Sequence, residues 1–587
     1  MARESFEDSG IAETINKYFI AVKVDKEERP DIDSIYMSVC QAFTGGGGWP
    51  TSIFMTSEQK PFYAGTYFPK NSRGGLIGFS DLLMTISDKW QNKREALLLS
   101  ADSLLDHLKK EKTAGGWIDD SLINAAVNQF KRNFDKQYGG FGNAPKFPAP
   151  HNLLFLMQLY ENTGDREFLL MVEKTLQQMY KGGIFDHIGY GFSRYSTDRY
   201  FLVPHFEKML YDNALLMLSY SKAYYLSKDE FYREVAEKVA EYVLRELTSP
   251  EGGFYCAQDA DSDGIEGKYY LFEPDEVLTI LGNETGERFN AHFGISREGN
   301  FEGKSIPNLL HKEGMDGGFE EYLPELRDYR KGRAKLSLDD KILTSWNSLM
   351  IAAFIMLYRV SKNEKYFKAA LDAEKFITDR LCTDNTLYVS YRENKLGEKG
   401  FLDDYAFYIY ALISIYEATL DVSRLDRAIA FSDKALDFYD EVNGGFYIYD
   451  SESEQLIINP KETFDGALPS GNSVMAHNLV KLYNITGHEK YGKLAEKQLK
   501  FMSAEAEQYP MGHSFYLLAL SQYLDPPESV TVVIGPNAEL QALRDKLSFD
   551  TNIMILNEPS EEYRLLNGKT TYYICKNHSC LPPVNEI

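Results

Sequence analysis

From Trp117 onward the chain alternates two kinds of helix, and that alternation narrows the available folds more than any single motif. Polar-faced segments near 118–134, 165–181, 229–248, 365–383, 423–441 and 489–507 carry apolar residues at a spacing close to 3.6. Between them lie more uniformly apolar segments that begin near 151, 208, 341, 402, 472 and 512. A helix with one apolar stripe buries one face, whereas a helix apolar all round must be covered on both sides. Six of each in alternation predict two concentric layers, an (α/α)6 toroid over residues 117–524.

Glycine pairs punctuate this repeat: Gly139-Gly140-Phe141, Gly182-Gly183-Ile184-Phe185, Gly252-Gly253-Phe254 and Gly444-Gly445-Phe446. Glycine tolerates positive φ, so these words are expected to end outer helices and turn an aromatic back over the ring. In such a ring all outer-to-inner connections open on one face. Residues far apart in sequence then converge at one mouth.

The flanking segments are of another kind. Residues 1–112 alternate α and β: a helix at Ser9 to Tyr18, a strand at Phe19 to Asp25, a helix at Asp31 to Ala42, then Gly45 to Thr56. Four glycines and Trp49-Pro50 suit a tight loop, with a place for a cis proline, that delivers the chain into a strand; Ala64 to Pro69 is its hairpin partner. Helices reach Lys112, and Thr113 to Gly116 form a linker. The tail, 528–587, reads as a small α/β unit with strands at Ser529, Asn552 and Thr570 and a helix from Asn537 to Leu547.

The net charge of −24 argues against nucleic acid or an anionic membrane surface as partner, since both require basic groups to displace counterions. The longest apolar run, Leu349 to Tyr358, is too short to span a bilayer, and the start carries no basic and apolar leader, so a cytoplasmic protein is expected. Of five cysteines, Cys575 and Cys580 form a C-x4-C pair that is not a disulfide framework; a zinc site there would need His578 and one more ligand. Aromatic residues make up 14% of the chain, enough to line a cleft.

The stretches ESFED, VDKEERPDID, GGWP, GTYFP, GGFGNAPKFP, GGIFDHIGYGFSRYSTDRYFLVPHFEKMLYDNA, DADS, DDKILTSWN, GFLDDYAF and PSGNS carry a resemblance to the spermatogenesis-associated protein 20 family over nearly the full length. The resemblance implies a thioredoxin-like domain joined to a six-hairpin glycosidase-like domain, related in shape to N-acylglucosamine and cellobiose 2-epimerases. It also implies a C-x-W-C segment just ahead of the methionine that precedes ESFED. The residues given start at that methionine. The thioredoxin-like module is therefore expected to lack thiol-disulfide exchange as it stands, because Cys40 alone supplies neither an attacking nor a resolving thiol.

Candidate chemistry gathers in the predicted mouth. The long connection from Gly182 to Asn213 contributes His187, Arg194, Tyr195, His205 and Glu207, the histidines and glutamate as acid–base groups. Asp259 and Asp261 lie in QDADSDGIEG, which imitates the opening of a calcium loop but has Tyr270 where the twelfth-position Glu belongs. A carboxylate pair serving sugar hydroxyls or acid–base catalysis fits better, which makes Asp259 and Asp261 catalytic candidates as well. Lys341, Trp346, Asn347, Asp403, Asp404, Tyr405, Ser470, Asn472 and His477 open inner helices on the opposite side, with Lys146, Phe147 and His151 in a further sector. Asp403 and Asp404 are catalytic candidates and the rest binding candidates, although Asp and Ser also occupy such positions simply as caps.

Two chemistries remain open. A glycoside hydrolase uses two carboxyl groups across the scissile bond, one of them protonated. A sugar 2-epimerase places bases beside an open-chain carbonyl, a task suited to His187, His205 and His477. Neither requires a metal or an organic cofactor, and no dinucleotide or P-loop fingerprint is present. The third reading is a non-catalytic scaffold that binds sugar or protein and carries a redox-inactive thioredoxin-like module, or a thiol-redox protein if the natural N-terminus restores the cysteine pair. Nothing in the sequence sets the oligomeric state.

Overall fold

A computed structural model describes residues 2–108, 115–314, 318–536, 540–576 and 579–587. Lys112, Thr113, Ala114, Asn537 and His578, which figured in the sequence expectations, lie outside the described residues. By packing, the chain forms two compact units, Met1–Thr113 with Tyr447–Lys461, and Ala114–Phe446 with Glu462–Ile587.

In the first unit, helix α1 (Ser9–Tyr18) starts at Asp8, whose carboxylate accepts the Ile11 N–H. Helix α2 (Pro30–Thr44) has proline in its first turn and ends at Gly45, φ 74°. Strands β1 (Ser52–Met55) and β2 (Pro61–Gly65) form an antiparallel hairpin, entered through a cis Trp49–Pro50 peptide. Helices α3 (Phe79–Asn92) and α4 (Arg94–Leu108) complete the unit, with Ile11, Phe62, Phe79, Leu82 and Ile86 in its core. The expected strand Phe19 to Asp25 does not form. Alternating apolar residues supply a face, but a strand also needs a ladder partner; none is present among the described residues, and Ile20 and Val22 are exposed at 96% and 79%. Within this unit Arg29 ties the Tyr447–Lys461 segment through Glu454, 3.1 Å away.

The second unit is the ring. Its helices are α5 (Ser121–Asn133), α6 (Pro150–Thr163), α7 (Arg166–Lys181), α8 (Leu210–Ser227) and α9 (Glu230–Tyr242). An insertion holds α10 (Pro274–Leu281), α11 (Asn283–His292) and α12 (Leu323–Arg333). Then come α13 (Thr344–Ser361), α14 (Glu364–Arg380), α15 (Leu402–Thr419), α16 (Val422–Ala435), α17 (Gly471–Thr486), α18 (Glu489–Ala506) and α19 (Ser514–Leu524). The apolar helices α6, α8, α13, α15, α17 and α19 pack each against the next, and α19 packs back on α6, closing the inner ring. The (α/α)6 expectation holds.

Five inner-to-outer turns are built alike. Thr163, Ser227, Ser361, Thr419 and Thr486 end the inner helices, each hydroxyl donating to the carbonyl four residues back. The next residue, Gly164, Lys228, Lys362, Leu420 or Gly487, takes the left-handed conformation. The third residue, Asp165, Asp229, Asn363, Asp421 or His488, has its N–H accepted by that same hydroxyl and starts the outer helix. These turns consume two residues each, so the long connections all gather at the other face.

At the base sits the tail: β3 (Ser529–Val533), parallel to β4 (Asn552–Leu556), antiparallel to β5 (Thr571–Lys576), with α20 (Leu540–Lys546) and the short β6 (Ser579–Cys580). Leu420 accepts the left-handed conformation, which costs a non-glycine residue about 1 kcal/mol, while its side chain packs with Val530, Val532 and Leu543. Phe549 enters the base of the ring, its centroid 4.3 Å from Tyr225 and 3.5 Å from the Arg359 guanidinium. Asp550 lies 2.9 Å from Lys222, which is also 2.9 Å from Glu161. Cys575 and Cys580 stand directly opposite one another in the β5–β6 register and are joined as a disulfide. That corrects the expectation of unpaired cysteines and removes them as zinc ligands. Among the described residues no helix is long and apolar enough to cross a membrane.

Candidate functional site

The mouth is framed by small hairpins that repeat around the ring. Asp135, Asp186 and Asp440 each accept two backbone N–H groups two and three residues ahead, and each pairs its own N–H with the carbonyl of Gly140, Gly191 or Gly445. Phe192 and Phe446 after two of these hairpins, and Phe254 after the turn at Gly252-Gly253, are each gripped by an inner-helix asparagine, Asn213, Asn472 and Asn347 respectively. In each grip the amide oxygen accepts the Phe N–H and the amide nitrogen donates to the Phe carbonyl. Asn347 gives its second N–H to Leu343, and Asn472 to Glu462, so neither fully buried side chain faces a ligand.

Two sequence expectations change here. Gly139-Gly140, Gly252-Gly253 and Gly444-Gly445 turn hairpins, while Gly182 ends α7 at φ −73° and the hairpin of that sector is turned at Tyr190-Gly191-Phe192. Lys146 is a structural group as well: its buried ammonium donates to Asp135 at 2.8 Å and to the Gly139 carbonyl at 2.7 Å. Lys208 repeats the arrangement on Asp186 and the Tyr190 carbonyl, with Arg330 also on Asp186.

One cluster of the mouth centres on His205. Its ring stacks on Tyr195, 5.3 Å between centroids, and Tyr195 stacks on the half-exposed ring of Phe147 at 4.7 Å. Nδ1 lies 2.9 Å from Glu266, and Nε2 lies 3.7 Å from Glu207. These two carboxylates push the imidazole up to about 9, so it carries a proton at neutral pH. Glu207 is 3.4 Å from Arg194, which hydrogen-bonds Tyr211, and Tyr211 meets the edge of Trp346 at 4.8 Å. The structure thus brings together His205, Glu207, Arg194, Tyr195 and Phe147, and connects Trp346 through Tyr211.

A second cluster lies where α13, α15 and α17 begin. Asp404 accepts the Phe401 N–H at 2.9 Å and the Ser345 N–H at 3.1 Å, bonding the starts of α15 and α13. Asp403 accepts the Gly471 N–H at the start of α17. Enclosure of the carboxyl, then the charge of Glu462, raises Asp403 to about 8; enclosure raises Asp404 to about 7 against its backbone donors. Asp403 is the carboxyl held with its proton, and Asp404 is a bonding element.

The remaining candidates are scattered. His187 is wedged between Tyr180 and Phe185 with Nε2 3.3 Å from the Gly182 carbonyl, and burial lowers it to about 3. His477 is buried between Tyr410 and Phe515 and is lowered to about 3 for the same reason. Neither is placed as a proton-transfer group near neutrality, which corrects their expected role. Tyr405 is buried with its hydroxyl accepting the Leu387 N–H, and Ser470 caps α17 by accepting the Ser473 N–H. Lys341 is buried 3.3 Å from Asp339. Asp259 is exposed and accepts the Asp261 N–H. The calcium-like segment is a two-residue hairpin: Asp261–Ser262 pairs with Ile265–Glu266 around Asp263 and Gly264, both at positive φ.

Sequence reasoning missed Glu266, Glu462 and Tyr211. For Glu266 a signal exists, since Asp263-Gly264 is the strongest short hairpin word and its register places Glu266 across from Asp261. Glu462 reaches Asp403 only through tertiary folding.

Fold and site together define a helical toroid whose mouth gathers aromatic rings, a histidine and carboxylates. By sequence, the chain belongs to the spermatogenesis-associated protein 20 family: it is 32% identical to the Rattus norvegicus member over 100% of this chain and 84% of that protein. It is also 31% identical to the Caenorhabditis elegans uncharacterized protein B0495.5, over 100% of this chain and 89% of that one. Residues 1–109 match the family model Thioredox_DsbH, described as a protein of unknown function, DUF255, in keeping with a thioredoxin-like N-terminal domain. Among solved structures the chain is similar to a sugar epimerase from a ruminal bacterium, 13% identical, TM-score 0.47, covering 69% of this chain and 97% of that one. It is similar, at 12% identity and TM-score 0.43, to a glycoside hydrolase family 76 mannosidase from Bacteroides thetaiotaomicron, over 69% and 97% of the two chains.

Proposed function

We propose that this chain is a carbohydrate-active enzyme that transfers protons at the mouth of its toroid, with His205 and Glu207 as the working pair. The observation that carries the reading is the clamped, partly exposed His205 on the Tyr195–Phe147 stack. Stacked rings suit the C–H face of a sugar, and an imidazolium beside a carboxylate suits chemistry next to a carbonyl. Glu207 takes the proton from C2 of an open-chain sugar, and the imidazolium donates a hydrogen bond to the enediolate oxygen that forms. Asp403, whose carboxyl holds its proton, returns one to the opposite face, giving the 2-epimer.

A second reading has a specific observation in its favour. Asp403 holds its proton beside the carboxyl group of Glu462, and a glycoside hydrolase likewise uses two carboxyl groups, one of them protonated.

Incubating reducing disaccharides and N-acyl hexosamines with the protein in deuterated water separates these. Deuterium at C2 is the expected result, new reducing ends support the hydrolase, and binding without turnover supports a scaffold. If no sugar binds, the carbohydrate reading fails. His205→Ala is expected to abolish turnover, and activity is expected to fall as pH rises through about 8, where Asp403 loses its proton, and further through about 9, where His205 does.

A further inference from the structure

The Asp261–Glu266 hairpin has no role in the proton transfer described above, yet its geometry is aimed at that site. Its register sets Asp261 opposite Glu266 and Ser262 opposite Ile265, with Asp263 and Gly264 at φ 50° and 77°. The hairpin closes with the Gly267 N–H donating to the Ala260 carbonyl at 3.0 Å. Gly267 itself has φ 74°, and a Cβ there would fall 2.5 Å from the ring of Phe206. Phe206 is the residue between His205 and Glu207, buried and stacked on Tyr270 at 5.5 Å. The Phe206 backbone N–H donates to the Glu266 carboxylate.

These contacts leave one position for the Glu266 side chain. The Phe206 ring packs so closely on Gly267 that it leaves no room for a side chain there. The next residue back, Glu266, is delivered to the Nδ1 side of His205 at 2.9 Å. Nδ1 is thereby engaged as a donor, and Nε2 is turned toward Glu207, whose nearest oxygen at 3.7 Å lies beyond hydrogen-bond reach.

We propose that Glu266 is the positioning residue of the site: it holds Nδ1–H of His205 so that Nε2 is the nitrogen presented to substrate, and the hairpin exists to carry it there. This rests on the reading that the His205 imidazolium donates a hydrogen bond to the enediolate oxygen. It adds that the orientation of the imidazole comes from an element 61 residues away in sequence. A carboxylate on the far nitrogen both fixes the ring and favours its cationic form.

The charged and titratable groups facing His205 are Glu207 two residues further along the chain, Glu266 on the hairpin and the Tyr195 ring, with Arg194 behind Glu207. Glu266→Gln removes one of the two carboxylates and leaves the shape of the hairpin. Glu266→Asp keeps the charge but shortens its reach.

The test is histidine ring NMR of the full chain, wild type against Glu266→Gln, Glu266→Asp and Gly267→Ala. The expected result is a His205 titration that falls by about one unit or more in Glu266→Gln. The Nδ1–H signal should be lost in that variant and disturbed in Gly267→Ala, which pushes the hairpin off Phe206, and Glu266→Asp should recover part of the shift. An unchanged titration and an unchanged Nδ1–H signal in Glu266→Gln would overturn the proposal. This readout needs no substrate, so it stands apart from the fate of the carbohydrate reading. With a turned-over sugar in hand, Glu266→Gln is expected to lower kcat about tenfold or more with KM little changed. The alkaline limb should move down with the His205 titration. A rise in KM alone would instead mark Glu266 as a binding group and overturn the positioning role.

Discussion

The carboxylate of Asp403 occupies the space in which a side chain at Gly471 would begin: an ideal Cβ there falls 2.4 Å from Oδ1 and 2.9 Å from Leu402 Cγ. The glycine of Pro-Ser-Gly-Asn-Ser is therefore a fitting around one acid. Gly471→Ala is expected to displace that carboxyl and cost about 1–3 kcal/mol through overpacking. Chemical denaturation gives the cost, and an unchanged midpoint would show that the contact relaxes freely.

Asp403 also makes the fold sensitive to pH. Its proton is held to about 8 in the folded chain against 3.8 as the ordinary value. Between these limits the folded chain keeps a proton that the unfolded chain has released, so stability falls as pH rises from about 4 to about 8. Asp403→Asn is expected to reduce this slope, leaving the part set by Asp404, which is raised to about 7, and to melt a few degrees above wild type at pH 8. Parallel melting curves for the two proteins at pH 5 and pH 8 would refute it.

Removal of Asp404 acts in the opposite direction. It bonds the Ser345 and Phe401 N–H groups at the starts of two inner helices, so Asp404→Ala leaves two buried donors without acceptors. A loss of about 2–4 kcal/mol is expected. A variant as stable as wild type but inactive would assign Asp404 to the chemistry instead.

The base of the ring offers a separate test. Lys222 lies between Glu161 and Asp550, all three largely or partly buried. A double-mutant cycle of Lys222→Met and Asp550→Ala is expected to show a coupling of about 1 kcal/mol or more. Additive effects would mean that the tail is held by apolar contacts such as Phe549 alone.

Much of the ring was legible in the chain. The 3.6 periodicity and the alternation of striped and all-apolar helices marked outer and inner layers to within a few residues, because burial on one side or two leaves different compositions. The turn chemistry was present too: Thr-Gly-Asp, Ser-Lys-Asp, Ser-Lys-Asn and Thr-Leu-Asp each write out a hydroxyl, a left-handed residue and a cap. The segment Phe19 to Asp25 was misread because alternation describes a strand's faces and says nothing of its partner.

The site was legible only as a region. Asn347, Asn472, Asp404 and Asp403 all stand in the first turn of an inner helix, and by type each was a fair candidate. What separates them is direction, since neighbouring positions on a helix point about 100° apart. Asn347 turns outward and grips Phe254, Asp404 reaches sideways to Ser345, and Asp403 meets Gly471 and Glu462. The sequence by itself determined a closed helical ring with its long loops on one face, because periodicity and turn residues are local. Only the tertiary structure decided which polar groups bond backbone and which remain for a ligand, because that depends on what each meets across the ring.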